Sequence, residues 1–182
     1  MAPPDIQLTV RNARLDDEGV MNRLIQDSVR ELSQGYYSDA QIEAGIRHVF
    51  GVDTMLVRDG TYFCVKAEGA IVGCGGWSKR RTHYGGDHAK HEADPVIDPA
   101  TEPARIRAFF VHPGWARRGI GRLLLDACVE AARAAGFRRL VLTATLPGEP
   151  LYRAYGFEAL EQTDVTLPDG VVMPCVRMGR AI

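Results

Sequence analysis

The spacing of apolar residues switches repeatedly between a period near two and a period near 3.6. Ile6 to Val10 predicts a first strand. Asp16 or Asp17 then offers a helix cap, with Val20, Leu24 and Val29 among the apolar positions of a helix running to about Leu32. The stretch SQGYYSDAQIEAGIRHVF gives a turn and a second helix from Ser38 or Asp39. TYFCVKAEGAIVGCGGW predicts two strands joined at Glu68-Gly69 in a compact hairpin. Gly73, Gly75 and Gly76 interrupt the second of these, the mark of a bulge or of a close backbone approach. RIRAFFV is a further buried strand. From Arg118 to Ala135 the helical period returns, with Leu124, Cys128, Ala131 and Ala135 on one face and Asp126, Glu130 and Arg133 on another. Gly136 ends that helix, and RRLVLTAT is the next strand. PLYRAY is a short helix closed by Gly156, and EALEQTDVTL and VVMPCVRM flank a Pro168-Asp169-Gly170 turn.

The order β-α-α-β-β-β-α-β-α-β-β predicts a mixed α/β layer, its sheet partly antiparallel and flanked by helices. At 182 residues and 46% hydrophobic, residues 1–182 suit one domain with a sizeable core. One segment stands apart: Lys79 to Pro103 is polar, proline-rich and aperiodic, and a connection of that length is usually functional or disordered. A net charge of −1 argues against a nucleic-acid surface but leaves room for a local basic pocket. Cys64, Cys74, Cys128 and Cys175 lie far apart in apolar runs, which predicts small buried hydrophobes in a reducing compartment. The start MAPPDIQLTVRNARLDDEG has no apolar signal region, and no apolar run approaches a membrane span. The expectation is a soluble, cytoplasmic chain with no membrane partner.

Chemistry concentrates in FFVHPGWARRGIGRLLL, residues Phe109 to Leu125, where an extended run hands over to a helix. A helix N-terminus exposes unpaired N–H groups and a positive dipole end, which attract phosphate. Glycine admits close backbone approach, and Arg117, Arg118 and Arg122 bring charge that would neutralise a diphosphate. An ordinary turn with solvated arginines is the competing reading. A Walker loop is excluded because Arg122-Leu123 follows Gly121 where Lys-Ser/Thr is needed. A dinucleotide fingerprint is excluded because Leu124 stands at the third glycine.

The stretch resembles the signature Q/R-x-x-G-x-G/A of the GCN5-related N-acetyltransferase (GNAT) family, carried here by Ala116, Arg117, Arg118, Gly119, Ile120 and Gly121, then Arg122. Ala116 departs from the Gln or Arg of the pattern. FFVHP matches the family's fourth strand, and PLYRAYGF its tyrosine-containing helix. The resemblance implies the acyl-CoA N-acyltransferase fold, with the fourth and fifth strands splayed to admit the pantetheine arm of acetyl-CoA. Phe109, Phe110 and Val111 would hold that arm through their backbones, and Ala116 to Arg122 the diphosphate. It further implies direct attack of a neutral amine on the thioester in a ternary complex. A backbone N–H near Phe110 or Val111 would stabilise the oxyanion, and Tyr152 would serve as acid to the thiolate. Tyr155 is expected to pack at the helix end.

Other candidates carry less. An amine with pKa ~10.4 is neutral about once in 2,500 at pH 7, and an α-amino group near ~8 about once in ten, so a lysine-like acceptor needs a base more. ARIRAFF offers no glutamate, and Glu102, Asp98 and Glu92 lie only in the irregular loop. The absent glutamate and Ala116 fit an alternative, a non-catalytic acetyl-CoA sensor or partner module; Tyr152 counts against it. His83, His88, His91, Asp87 and Glu92 crowd the loop without strict ligand spacing, so no metal is expected. Tyr36 and Tyr37 shape an acceptor pocket or pack as a lid, Trp77 faces pocket or core, and His112 is structural. The acceptor is an unidentified amine, and the C-terminal hairpin offers an edge through which a homodimer could pair.

Overall fold

The computed structural model of the chain describes residues 6–90 and 93–182. In chain order its elements are β1 (Thr9–Asn12), α1 (Glu18–Leu32), α2 (Asp39–His48), α3 (Thr54–Arg58), β2 (Tyr62–Ala67), β3 (Ala70–Ser78), β4 (Ala104–Val111), α4 (Ile120–Ala134), β5 (Arg139–Thr145), α5 (Glu149–Tyr155), β6 (Glu158–Thr166) and β7 (Val172–Ala181). The strands form one seven-stranded sheet in the order β1-β2-β3-β4-β5-β7-β6. Only β4 and β5 run parallel; every other neighbouring pair is antiparallel.

Local chemistry explains most boundaries. Ser38 and Gln41 bond reciprocally to each other's backbone N–H, a capping box that starts α2. Glu68 and Gly69 both take positive φ, 50° and 82°, the pair of left-handed residues that a two-residue hairpin turn demands. The helix expected from Arg118 begins at Ile120, because Gly119 sits at φ 82° and no α-helix continues through that conformation. The strand expected at Ile6 begins at Thr9, where pairing with Lys66 opens the β1–β2 ladder; Ile6 and Leu8 pack on the core outside it. The five-residue helix α3 was not expected, being too short to show a period.

Two apolar cores lie on opposite faces of the sheet. One packs α4 and α5 against it around Leu124, Leu140, Phe157 and Val176. The other packs α1 and α2 around Ile25, Ile42, Leu56 and Met173. The buried stripe of α1 is Met21, Leu24, Ile25, Ser28 and Val29, which leaves Val20 exposed; that of α4 is Ile120, Leu124, Leu125, Cys128, Val129 and Ala132, with Ala131 and Ala135 off it. Helix α4 lies so close to β3 that a Cβ on Gly73 would stand 2.4 Å from Ile120 Cγ2. All four cysteines are buried and free, as small hydrophobes. Among the described residues no helix is long and apolar enough to cross a membrane.

Candidate functional site

Strands β4 and β5 pair only at Ala104–Leu140 and Arg105–Val141. Beyond that point β4 follows β3, β5 follows β7, and a notch opens between them. A bulge helps to turn β4 away: the register shifts opposite Gly75, and Ala108 sits at φ 54°. A non-glycine residue in that region costs of order 1–3 kcal/mol and persists only where its surroundings fix it. Tyr62 does so in part, donating its hydroxyl to the Ala108 carbonyl at 2.8 Å. Gly75 leaves room for the Phe109 ring, which a Cβ there would approach to 2.5 Å. After the bulge the ladder is regular. His112 N–H donates to the Val72 carbonyl at 2.9 Å. Alternation then turns the Phe110 amide toward β3 and leaves the Val111 amide facing the notch. Of the two backbone donors the sequence offered, Val111 is the open one.

The phosphate-cradle candidate lies at the mouth of this notch. After β4, His112 Nδ1 accepts the Gly114 N–H at 3.1 Å and closes a 3-10 turn, the structural role expected of it. Arg117 follows at φ 64° and Gly119 at φ 82°. The first backbone bond of α4 runs from Leu123 to Gly119, so the N–H groups of Arg117 to Arg122 find no backbone acceptor among the described residues. A Cβ on Gly119 would meet nothing within 4 Å, whereas one on Gly121 would stand 2.7 Å from Leu151 on α5. The two glycines therefore differ in surroundings: Gly119 supplies the left-handed turn beside open space, and Gly121 faces the Leu151 side chain. Ile120 is buried in the core and enters the cradle only through its backbone. Arg117, Arg118 and Arg122 are exposed and meet no carboxylate among the described residues; Arg118 lies over the Trp115 ring and Arg122 over that of Tyr155. Ala116 continues the extended chain and contributes no side-chain donor.

A cleft of about 580 Å³ occupies the notch, lined by Ala108, Phe109, Phe110, Thr143, Thr145 and Tyr152 together with Phe50 and loop residues His83 to Gly86. Tyr152 is buried between Phe109 and Phe157, with ring centroids 6.1 and 5.8 Å away. Its hydroxyl has no hydrogen-bond partner among the described residues, and burial pushes its pKa well above the usual range. Tyr155 is different. It donates to Asp126 at 2.6 Å, Arg180 lies over its ring at 4.7 Å, and burial with Asp126 raises its pKa to about 12. That bond ties α5 to α4, the packing role expected of it.

The Lys79–Pro103 connection is ordered where it is described, and the cause is a buried ion network. Asp53, with no exposed side-chain surface, accepts Arg107 at 3.0 Å and Lys90 at 2.5 Å. Arg107 reaches on to the Thr82 and Gly85 carbonyls at 3.2 and 2.7 Å. Arg80 grips Asp59 through two bonds of 2.6 and 2.8 Å, which hold that carboxyl below its ordinary range. Asp94 accepts the Thr82 N–H at 2.8 Å. The network brings His83 and Tyr84 over the cleft. None of its members announces itself in sequence, because the partners are far apart along the chain and each resembles a loop charge.

A second cleft of about 430 Å³ adjoins the first and shares His83, Tyr84 and Thr143 with it; Glu161, Thr163, Asp164, Val165 and Arg177 complete its wall. His83 is half-buried, and its pKa falls to about 4 through desolvation first, then through Arg105, Arg177 and Arg107. A folded-state value below the unfolded ~6.5 means that the unfolded chain binds the proton first. The contribution is complete above pH ~6.5 and is lost as pH falls toward 4. His83→Asn is accordingly expected to flatten part of the stability-versus-pH slope between pH 6.5 and 4 in denaturant titrations. An unchanged slope would show that the imidazole is not held neutral.

The remaining candidates fall away. Among the described residues no group of three or more His, Cys, Asp or Glu side chains could hold a metal; His91 and Glu92 lie outside the described residues. Tyr37 is buried, donates to the Pro174 carbonyl at 2.6 Å and accepts the Leu146 N–H at 3.0 Å, while Tyr36 is exposed. Trp77 packs edge-on to Phe137 in the core. Glu102 pairs with Arg105 at 3.4 Å, and Asp98 accepts the Ala100 N–H at 2.9 Å in a local turn. Neither lines either of the two clefts described.

Residues 22–157 match the model of the acetyltransferase (GNAT) family. Among solved structures, the chain is similar to a GCN5-related N-acetyltransferase from Rhodopseudomonas palustris, at 18% identity and a TM-score of 0.71, over 96% of this chain and 95% of the other. It is similar to the PaiA N-acetyltransferase of Thermoplasma acidophilum in complex with coenzyme A, at 14% identity and a TM-score of 0.67, over 97% and 99%. The YncA structure from Salmonella typhimurium, with its cofactor acetyl-CoA, aligns at 16% identity and a TM-score of 0.63, over 96% and 93%. No curated protein matches the sequence.

Proposed function

The chain belongs to the acetyltransferase (GNAT) family, and from that premise we propose that it transfers acetyl from acetyl-CoA to the nitrogen of an amine. The observation that carries the reading is the combination of an unpaired notch edge on β4 with a cradle of free N–H groups at the start of α4. A pantetheine arm is an amide-bearing chain, and an unpaired strand edge receives such a chain as it would a peptide strand. A diphosphate suits successive N–H groups beside three arginines without carboxylate partners among the described residues. The residues present therefore fit the donor, which supplies an activated thioester.

Phe109, Phe110 and Val111 line the notch, and the open Val111 amide is placed to donate to groups of the arm or to a developing oxyanion. Gly119 lets the backbone of Arg117 to Arg122 close on the diphosphate. Tyr152 holds its proton at Oη and offers a hydrogen bond to the sulfur as negative charge grows there. Its raised pKa keeps it protonated at every working pH. The acceptor nitrogen enters from the second cleft, past His83 and Thr143, and attacks as the free amine.

The test is binding. Gly119→Val should weaken coenzyme A binding by about tenfold or more, because φ near 82° strains a β-branched residue and the new side chain fills the cradle. Arg118→Ala should weaken it less, and the deficit should shrink as salt rises. Calorimetric titration of folded variants decides the matter. Unchanged affinity in Gly119→Val would reduce the loop to a turn and remove the reading's main support.

A further inference from the structure

We propose that the acceptor is a small amine bearing an acid group, a carboxylate or a phosphorus acid, which docks on Arg177 in the second cleft while its nitrogen reaches His83 and Thr143. The inference rests on the acetyltransferase reading and deepens it. The two clefts meet at His83, Tyr84 and Thr143, so a molecule in the second has its near end beside Tyr152 and the β4 bulge.

Arg177 stands on β7 directly opposite Thr143 on β5, one strand from the junction. Its side chain is 42% exposed, and among the described residues its one carboxylate contact is a 3.4 Å approach to Glu161, itself 57% exposed. A guanidinium carries five N–H donors in a planar fork that matches a carboxylate or phosphonate, so most of this one is free to bind. The same face of the sheet adds Arg105 and Arg107, whose side chains are only 6% and 1% exposed. Their carboxylate partners are Glu102 at 3.4 Å and Asp53 at 3.0 Å. Facing them across the second cleft, Glu161 and Asp164 stand exposed on the outer strand.

At the junction His83 is half-buried, and desolvation first, then Arg105, Arg177 and Arg107, keeps its imidazole neutral. The same desolvation and guanidinium charges favour the uncharged form of an amine placed beside His83, and so assist the deprotonation for which β4 supplies no carboxylate. An acid group on the acceptor satisfies Arg177 and anchors the molecule.

The experiment follows thiol release at saturating acetyl-CoA for α-amino acids and aminoalkylphosphonates, each beside its uncharged amide or ester, with spermidine as the polycation. Acid-bearing acceptors should show kcat/KM at least about tenfold above their neutral counterparts, the size of effect expected from one charged hydrogen-bonded pair. Arg177→Gln should abolish that preference by raising KM for the acids while leaving KM for acetyl-CoA unchanged. Arg177→Lys should restore part of it. Neutral amides or spermidine used as well as the acids, or a preference that survives Arg177→Gln, would overturn the inference and leave the acetyltransferase reading standing. Absence of transfer to any amine, with no calorimetric binding of coenzyme A, would overturn both.

Discussion

Tyr152→Phe is expected to lower kcat by about 10- to 1,000-fold while leaving coenzyme A binding and folding intact. The ring carries the packing: it fills the space between Phe109 and Phe157, and phenylalanine keeps those contacts. The hydroxyl bonds to nothing else among the described residues, so its removal orphans no partner. What disappears is a donor that matters most as the C–S bond breaks, and such a loss falls on kcat rather than on binding. Acid catalysis typically contributes 10²–10⁴-fold. The lower bound is relaxed here because a thiolate of pKa ~8.5 is already a tolerable leaving group. Tyr155→Phe is the control and should stay within a few-fold, since its hydroxyl is spent on Asp126. Steady-state rates on any accepted amine decide between them. Full kcat in Tyr152→Phe with collapse in Tyr155→Phe would reassign the donor.

Asp53→Ala should be the most destabilising single change at the ion network. Its carboxylate is completely buried, caps α3 through the Met55 N–H at 3.0 Å, and pairs with Arg107 and Lys90, the latter shared with Asp94. Removing it leaves a buried guanidinium without its carboxylate, which typically costs about 3–5 kcal/mol. For a chain of this size that is a fall in Tm of roughly 6–20 °C. Asp53→Asn keeps the shape and should lie between wild type and alanine, a useful reading where the alanine variant fails to fold. Glu43→Ala breaks only an exposed pair with Arg30 and should leave the transition where it was. Because Arg107 also holds the Thr82 and Gly85 carbonyls, Asp53→Asn should raise the acceptor KM at temperatures where the fold survives. A transition within about a degree of wild type in Asp53→Ala would show that the network carries no stability.

Much of the architecture is legible in the chain because its signals are local. The hairpin at Glu68-Gly69, the capping box at Ser38, the stop at Gly136 and the loop before α4 each depend on residues within a few positions of one another. The same locality let the cradle and Tyr152 be named from a short motif. The reason for a residue was less legible than its position. Gly121 reads as part of a phosphate loop, and only the fold shows that it also lies against the Leu151 side chain on another helix. The arginines of β4 read as oddities in a buried strand until Asp53 and the loop carbonyls are found beside Arg107.

The sequence alone determined the order of elements apart from α3, since periodicity, turn conformation and capping are written over spans of a few residues; the cradle and Tyr152 were legible through the resemblance of a short motif. The tertiary structure alone decided where β4 leaves β5, because Ala108 carries no local sign of a positive φ. It also decided that loop residues His83 to Gly86 are pinned as a wall of the cleft, and that His83 and Arg177 line one cleft. Those outcomes depend on burial and on charges brought together from distant parts of the chain, and neither exists until the chain has folded.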